Sequence, residues 1–183
     1  MYDALHNALH SLQATGAAGF EGLIVALIGR LTGRRFFLAK NGPQAGKDTS
    51  TAGFGETYIA IECKRYRRGA SPTARELLGG FDEAIAASGD GLDLWVVVST
   101  GAISSQVAEQ LKQKADREAV AVDIIDWQEA GLPQLAILCA AFPEKTLDEL
   151  RGCLKTCHVR QTMYHQADHG DADHGFAGLG QIL

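Results

Sequence analysis

Six consecutive residues, Leu94-Trp95-Val96-Val97-Val98-Ser99, are apolar almost throughout. A run this short and continuous reads as a central strand covered on both faces, because a strand with one wet face alternates apolar and polar residues. Such a strand needs amphipathic helices on either side, and the chain supplies them. Upstream, Phe20, Leu23, Ile24, Leu27, Ile28 and Leu31 recur at helical spacing as a full apolar stripe, with Gly33 as the stop. Closer to the run, Ser71-Pro72-Thr73 announces a helix in which Thr73 and Glu76 have capping-box spacing and Leu77, Phe81, Ala84 and Ile85 face inward. It ends near Gly89. A further helix, with Ser104 and Ser105 as available caps, turns Val107, Ala108, Leu111 and Ala115 inward.

The remaining strands follow from shorter signals. Arg35 to Ala39 reads as a strand, Lys40 to Gly46 as a loop, and a short strand carries Asp48. The Gly53–Gly55 turn then leads into a strand from Tyr58 to Lys64, which makes an antiparallel meander. Ala121-Val122-Asp123-Ile124-Ile125-Asp126 is the last strand, joined to the apolar one by a helix and therefore parallel to it through a right-handed crossover. The predicted order is helix, three strands, helix, strand, helix, strand (αβββαβαβ): an α/β fold with a mixed sheet and helices on both faces. Before it, Leu5, Leu9 and Leu12 mark an amphipathic helix from Tyr2 to about Ala14, interrupted at Gly16 and Gly19. After Gln128, Leu132–Phe142 and Thr146–Leu154 read as closing helices separated by Pro143. Apolar periodicity then fades into the His- and Asp-rich stretch Tyr164–Gly175. The expected organisation is an N-terminal helix over 1–18, a core over 19–128, closing helices over 129–157 and a linker or tail over 158–183.

With 183 residues and 46% hydrophobic content, the chain suits one folded domain with a tail. No apolar run approaches the roughly 20 residues that span a bilayer, and the start lacks the basic and apolar regions of a signal peptide, so no membrane is expected and the cytoplasm is the expected compartment. Four cysteines, Cys63, Cys139, Cys153 and Cys157, are too few and too unevenly placed for a disulfide framework. The net charge of −5 conceals a strong asymmetry: from Arg30 to Arg75 there are ten basic residues against three acidic ones, a local +7 that leaves −12 elsewhere. Such a segment fits a phosphate-facing surface on an otherwise acidic protein; the bland alternative is a solvated basic face. Trp95 and Trp127 are expected in the core.

Within that basic segment lies Ile59-Ala60-Ile61-Glu62-Cys63-Lys64-Arg65-Tyr66. Strand alternation points Glu62 and Lys64 one way and Ile59, Ile61 and Cys63 the other, so one face is expected to be core and the other chemistry. An acid and a lysine two residues apart, with a second acid from the preceding strand, can hold a divalent cation beside an ammonium that steadies an attacking water, the minimum for metal-assisted phosphodiester hydrolysis. A nucleotide-binding loop is the rival for Gly42-Pro43-Gln44-Ala45-Gly46-Lys47-Asp48. It is one spacer short of that motif, and Asp48 stands where a Mg²⁺-binding Ser or Thr is required.

These residues resemble the Mrr-like branch of the PD-(D/E)XK nuclease superfamily, with its restriction-endonuclease-like fold. The resemblance covers about Gly19 to Gln128. It rests on Phe20-Glu21 opening the core helix, Gly46-Lys47-Asp48 at the metal-binding aspartate, Ile61-Glu62-Cys63-Lys64-Arg65-Tyr66 at the third-strand signature, and Val97-Val98-Ser99-Thr100 at the next segment. Lys47 replaces the proline of the superfamily's name. The resemblance implies that Asp48 and Glu62, with the Cys63 carbonyl and Glu21, hold Mg²⁺ (or Mn²⁺), and that Lys64 orients the water. Gln44, Lys47, Arg65, Tyr66, Arg67 and Arg68 would then bind the nucleic acid, with double-stranded DNA as substrate and a 5′-phosphate product. It further implies the nuclease module of a restriction or antiphage defence effector, with fused or associated sensor domains and homo-oligomerisation. A catalytically inactive nucleic-acid-binding or assembly domain of the same fold is the alternative. In the tail, Cys153, Cys157, His158, His165, His169 and His174 are a weaker candidate for a soft-metal site.

Overall fold

The computed structural model describes residues 2–38, 49–51, 57–88 and 91–151. In chain order these form α1 (Tyr2–Ser11), α2 (Phe20–Thr32), β1 (Phe36–Leu38), β2 (Thr49–Thr51), β3 (Tyr58–Lys64), α3 (Ala74–Ser88), β4 (Leu92–Ser99), α4 (Ser105–Glu118), β5 (Ala121–Ile125) and α5 (Gln134–Ala141). A sixth helix, α6, follows over 143–151. The strands make one mixed sheet in the order β1-β2-β3-β4-β5. β1 and β2 pair antiparallel, as do β2 and β3, while β3, β4 and β5 run parallel.

Alternation in β3 and β4 divides the interior in two. Ile59, Ile61, Val96 and Val98 face α1, α2 and α5 in one cluster with Leu9, Leu12, Phe20, Leu23, Leu27 and Leu135. Ala60, Trp95 and Val97 face α3 and α4 in the other, with Leu77, Phe81, Ala84, Leu111 and Ala115. Both faces of β4 are therefore covered, as its apolar run requires. The helix ends follow their local chemistry. Ser104 Oγ accepts from the Val107 N–H, and α2 stops on Gly33 at φ 68°, a left-handed position that costs glycine little. Thr73 and Glu76 form the expected capping box: Glu76 Oε2 accepts from the Thr73 N–H at 2.9 Å, and Thr73 Oγ1 accepts from the Glu76 N–H at 3.2 Å.

Several expectations are corrected. Leu31 closes the sequence stripe of α2 but is 61% exposed, because the last turn of the helix runs past the layer that covers Leu27 and Ile28. The break between the two closing helices falls at Pro143, as expected, but α6 starts on it and not at Thr146, since a missing N–H costs nothing where first-turn donors have no partner within the helix. Trp127 is buried as expected, but it follows β5 instead of lying within it. Neither face of β3 is given over to chemistry, since Ala60, on the Glu62 side, is as fully buried as Ile61 on the other. Among the described residues no helix is long and apolar enough to cross a membrane. The tail residues Cys153, Cys157, His158, His165, His169 and His174 lie outside the described residues.

Candidate active site

Glu62 and Lys64 occupy the carboxyl end of β3, the middle strand of the sheet and the first of its parallel set, and such strand ends are where open α/β sheets present their ligand crevices. Lys64 Nζ lies 2.6 Å from Glu62 Oε1. Glu62 is only 6% exposed and rests against α3, where a Cβ added at Gly80 would stand 3.8 Å from Glu62 Oε1 and 3.8 Å from the Trp95 ring. A carboxylate withdrawn this far from water is tolerated because an ammonium is seated on it.

Glu21 is a second buried acid, 5% exposed, at the start of α2. Its position follows from the wrap of the chain before that helix. The Phe20 and Glu21 N–H groups donate back to the Gln13 and Ala14 carbonyls, and the Gly16 N–H donates to Glu21 Oε2 at 2.9 Å. The wrap is tight enough that a Cβ at Gly22 would collide with the Ala17 carbonyl. Burial pushes the Glu21 carboxyl above its ordinary value, the Gly16 hydrogen bond opposes this, and the charge of Glu62 raises it further. The two acids thus feel one another across the gap between α2 and β3.

The third expected acid, Asp48, lies outside the described residues, as do Gln44 and Lys47. What is described is the start of β2, where Thr49 pairs with Ile61 and Ser50 with Ala60. Asp48 precedes Thr49 in the chain and Glu62 follows Ile61. Among the described residues no three His, Cys, Asp or Glu side chains gather as a metal-binding group. The described donors that fit a hard cation are the carboxylates of Glu21 and Glu62, two oxygen-bearing groups of the kind Mg²⁺ prefers. The Cys63 side chain packs against the α1–α2 core, which turns its thiol to the opposite face of β3 from Glu62.

Beyond Lys64 the expected phosphate-binding residues are distributed unequally. The Tyr66 hydroxyl is buried beside the Glu76 carboxylate, and burial, ahead of that carboxylate's charge, raises its pKa to about 12. It is therefore a neutral phenol at any working pH. Arg65 turns inward: its Nη1 donates to the His10 carbonyl at 3.0 Å and its Nε is buried without a partner. Arg67 is exposed, and Arg68 reaches Asp3 at 3.5 Å in a solvent-facing pair. Exposed pairs of this kind contribute little, so Arg68 is readily exchanged to another anion.

Four residues near this strand end were not read from the sequence as part of the site. His6, His10 and Thr100 surround the segment leaving β3, and Glu76 faces Tyr66 and Lys64. The spacing of His6 and His10, four apart on one helix face, was the available signal. Thr100 and Glu76 offered none beyond their helix-capping and strand-end contexts. No family model matches this chain, and no curated protein matches it.

Proposed function

We propose that this chain is a metal-dependent endonuclease that hydrolyses phosphodiester bonds of double-stranded DNA, with the restriction-endonuclease-like fold that its Mrr-like PD-(D/E)XK residues resemble. The reading is carried by one observation: a buried carboxylate, Glu62, paired at 2.6 Å with Lys64 at the end of a parallel strand and electrostatically coupled to a second buried carboxylate, Glu21. Two buried acids whose charges raise one another's proton affinity both gain from a cation that serves them together.

Glu62, Glu21 and Asp48, with the Cys63 carbonyl, would hold the Mg²⁺ or Mn²⁺. When bound, the ion supplies Lewis-acid polarisation of the phosphate and lowers the pKa of water. The ammonium of Lys64 orients the attacking water and offsets charge developing on the phosphoryl oxygens. Water oxygen attacks phosphorus in line, the bond to the 3′-oxygen breaks, and that oxygen leaves with a proton, giving a 3′-hydroxyl and a 5′-phosphate. Tyr66 remains protonated and buried beside Glu76, while Arg67 and Arg68 supply sequence-independent phosphate contacts. Restriction or antiphage defence, in a larger effector with sensor domains and self-association, is the setting this chemistry fits.

The test is plasmid nicking with Mg²⁺, Mn²⁺ or Ca²⁺. Wild type should nick with the first two, and Lys64→Ala or Glu62→Gln should lose about 10²–10³-fold in rate, the usual cost of removing one charge-stabilising group. DNA binding without nicking under every metal would overturn the proposal in favour of an inactive binding or assembly domain.

A further inference from the structure

The segment that leaves β3 directly after Lys64 is held at successive main-chain groups by side chains and amides from distant parts of the chain. The Thr100 N–H donates to the Lys64 carbonyl at 3.0 Å. Thr100 Oγ1 accepts from the Tyr66 N–H at 2.9 Å and lies 3.3 Å from the Tyr66 carbonyl. His10 Nδ1 is 2.7 Å from that same carbonyl, and Arg65 Nη1 closes the loop by donating to the His10 carbonyl at 3.0 Å. Thr100 is held in turn, since His6 Nε2 lies 2.8 Å from its carbonyl while the His6 ring stacks on Trp127 at 4.1 Å and 5°.

Carbonyl oxygens only accept, so the proton sits on Nδ1 in His10 and on Nε2 in His6. Thr100 is fully buried. The loop that carries it is also pressed close to the loop after β3, because a Cβ at Gly101 would collide with the Ala70 carbonyl. Two loops and a helix therefore meet at the root of the Lys64 side chain.

We infer that Thr100 and His10 are positioning residues of the active site: together they fix the main chain from Lys64 to Tyr66 and so set where the Lys64 ammonium stands against Glu62. On this view α1 is part of the catalytic apparatus and not an accessory helix, because it contributes the His10 donor and the carbonyl that anchors Arg65. The inference rests on the endonuclease reading. Its physical basis is that an ammonium at the end of a four-carbon stem is aimed only as well as its backbone is fixed, and a shift of about 1 Å at a reacting centre can cost on the order of 10²-fold.

The test compares variants that keep or move the donor. In Asn the side-chain amide falls near the place of Nδ1, and in Gln near that of Nε2. His10→Asn should therefore cut at close to wild-type kcat, while His10→Gln, of similar size and polarity, should lose about 10- to 100-fold. Thr100→Val should lose a comparable factor and expose the Tyr66 amide to faster hydrogen exchange, and Thr100→Ser should restore both. Equal kcat for His10→Asn, His10→Gln and Thr100→Val in an enzyme whose wild type cuts DNA overturns this inference and leaves the endonuclease reading intact. A wild type that cuts no DNA sinks both. Should Thr100→Val not fold, the two His10 variants, both polar and partly solvent-facing, decide the question.

Discussion

The sheet is built from two unlike halves. β3 is matched to β4 over seven residues and β4 to β5 over five, all parallel and covered by helices, whereas among the described residues β1 meets β2 over three and β2 meets β3 over two. Parallel strands need cover on both faces to satisfy their apolar side chains, and the order of α3, β4, α4 and β5 provides it within one continuous stretch of chain. The antiparallel arm of β1 and β2 has strands of three residues and a half-exposed Phe37 at its centre. Glu62 and Lys64 belong to the well-packed half, at its seam with the arm. The short pairing of the arm makes it the half expected to open first in local fluctuations, and the long, helix-covered pairing makes the other half the last.

The comparison breaks first in the parallel half. Trp95 is completely buried between the Glu62 side of β3 and Phe81, whose ring lies 5.4 Å away. Trp95→Ala should cost about 3–5 kcal/mol by urea denaturation, as large-to-small changes of core aromatics do. It should also loosen Glu62, whose carboxylate shares the Gly80 wall with that ring. A loss of under about 1 kcal/mol would mean that β4 is not the foundation its burial implies.

What could be read from residues alone follows the same division. The stripe of α2, the apolar run of β4 and the Thr73–Glu76 box were legible because each is a periodic or short-range pattern in which neighbours carry the information. Glu62 and Lys64 were legible for the same reason, being two apart on a strand. The clamp around Tyr66 was not: His10 acts across 56 residues, Thr100 across 34, and His6 reaches Thr100 across 94, in each case on main-chain atoms that leave no residue-type signature. Arg65 was taken for a phosphate contact by its place in a basic run, yet it faces α1 because the His10 carbonyl needs a donor there. The same holds for Asp126, whose role depends on a loop far from it in the chain.

Asp126 is 3% exposed just beyond β5, and it ties the segment after β5 to the loop after β4 by accepting from the Ile103 N–H at 2.6 Å and the Gln128 amide at 2.7 Å. Asp126→Ala should cost about 1–3 kcal/mol, because the buried Ile103 N–H loses its acceptor. The pH dependence has a definite sign. Burial outweighs the hydrogen bonds and raises the Asp126 carboxyl above its ordinary 3.8, so the folded protein takes up a proton at a pH where the unfolded chain is still ionised. Its contribution is thus complete below the unfolded value and is lost as pH rises through the folded one. Measured against Asp126→Asn, which cannot titrate, wild type should gain stability as pH falls through that window. A gain with rising pH would show that the Ile103 and Gln128 donors prevail over burial.

The smallest effect belongs to the arm. Phe37 lies at the middle of β1, is 53% exposed and pairs in register with Ser50. Replacing it by Thr supplies a β-branched residue suited to an edge strand and removes little buried area, so the cost should stay within about 0.5 kcal/mol, the range of ordinary surface substitutions. Hydrogen exchange sharpens the point: amides of β1 should exchange through local opening while those of β4 wait for global unfolding, with the substitution leaving the β4 rates unchanged. If Phe37→Thr instead cost as much as a core truncation, β1 would have to be packed as firmly as the parallel block. The division into a firmly packed half and a lightly packed one would then fail.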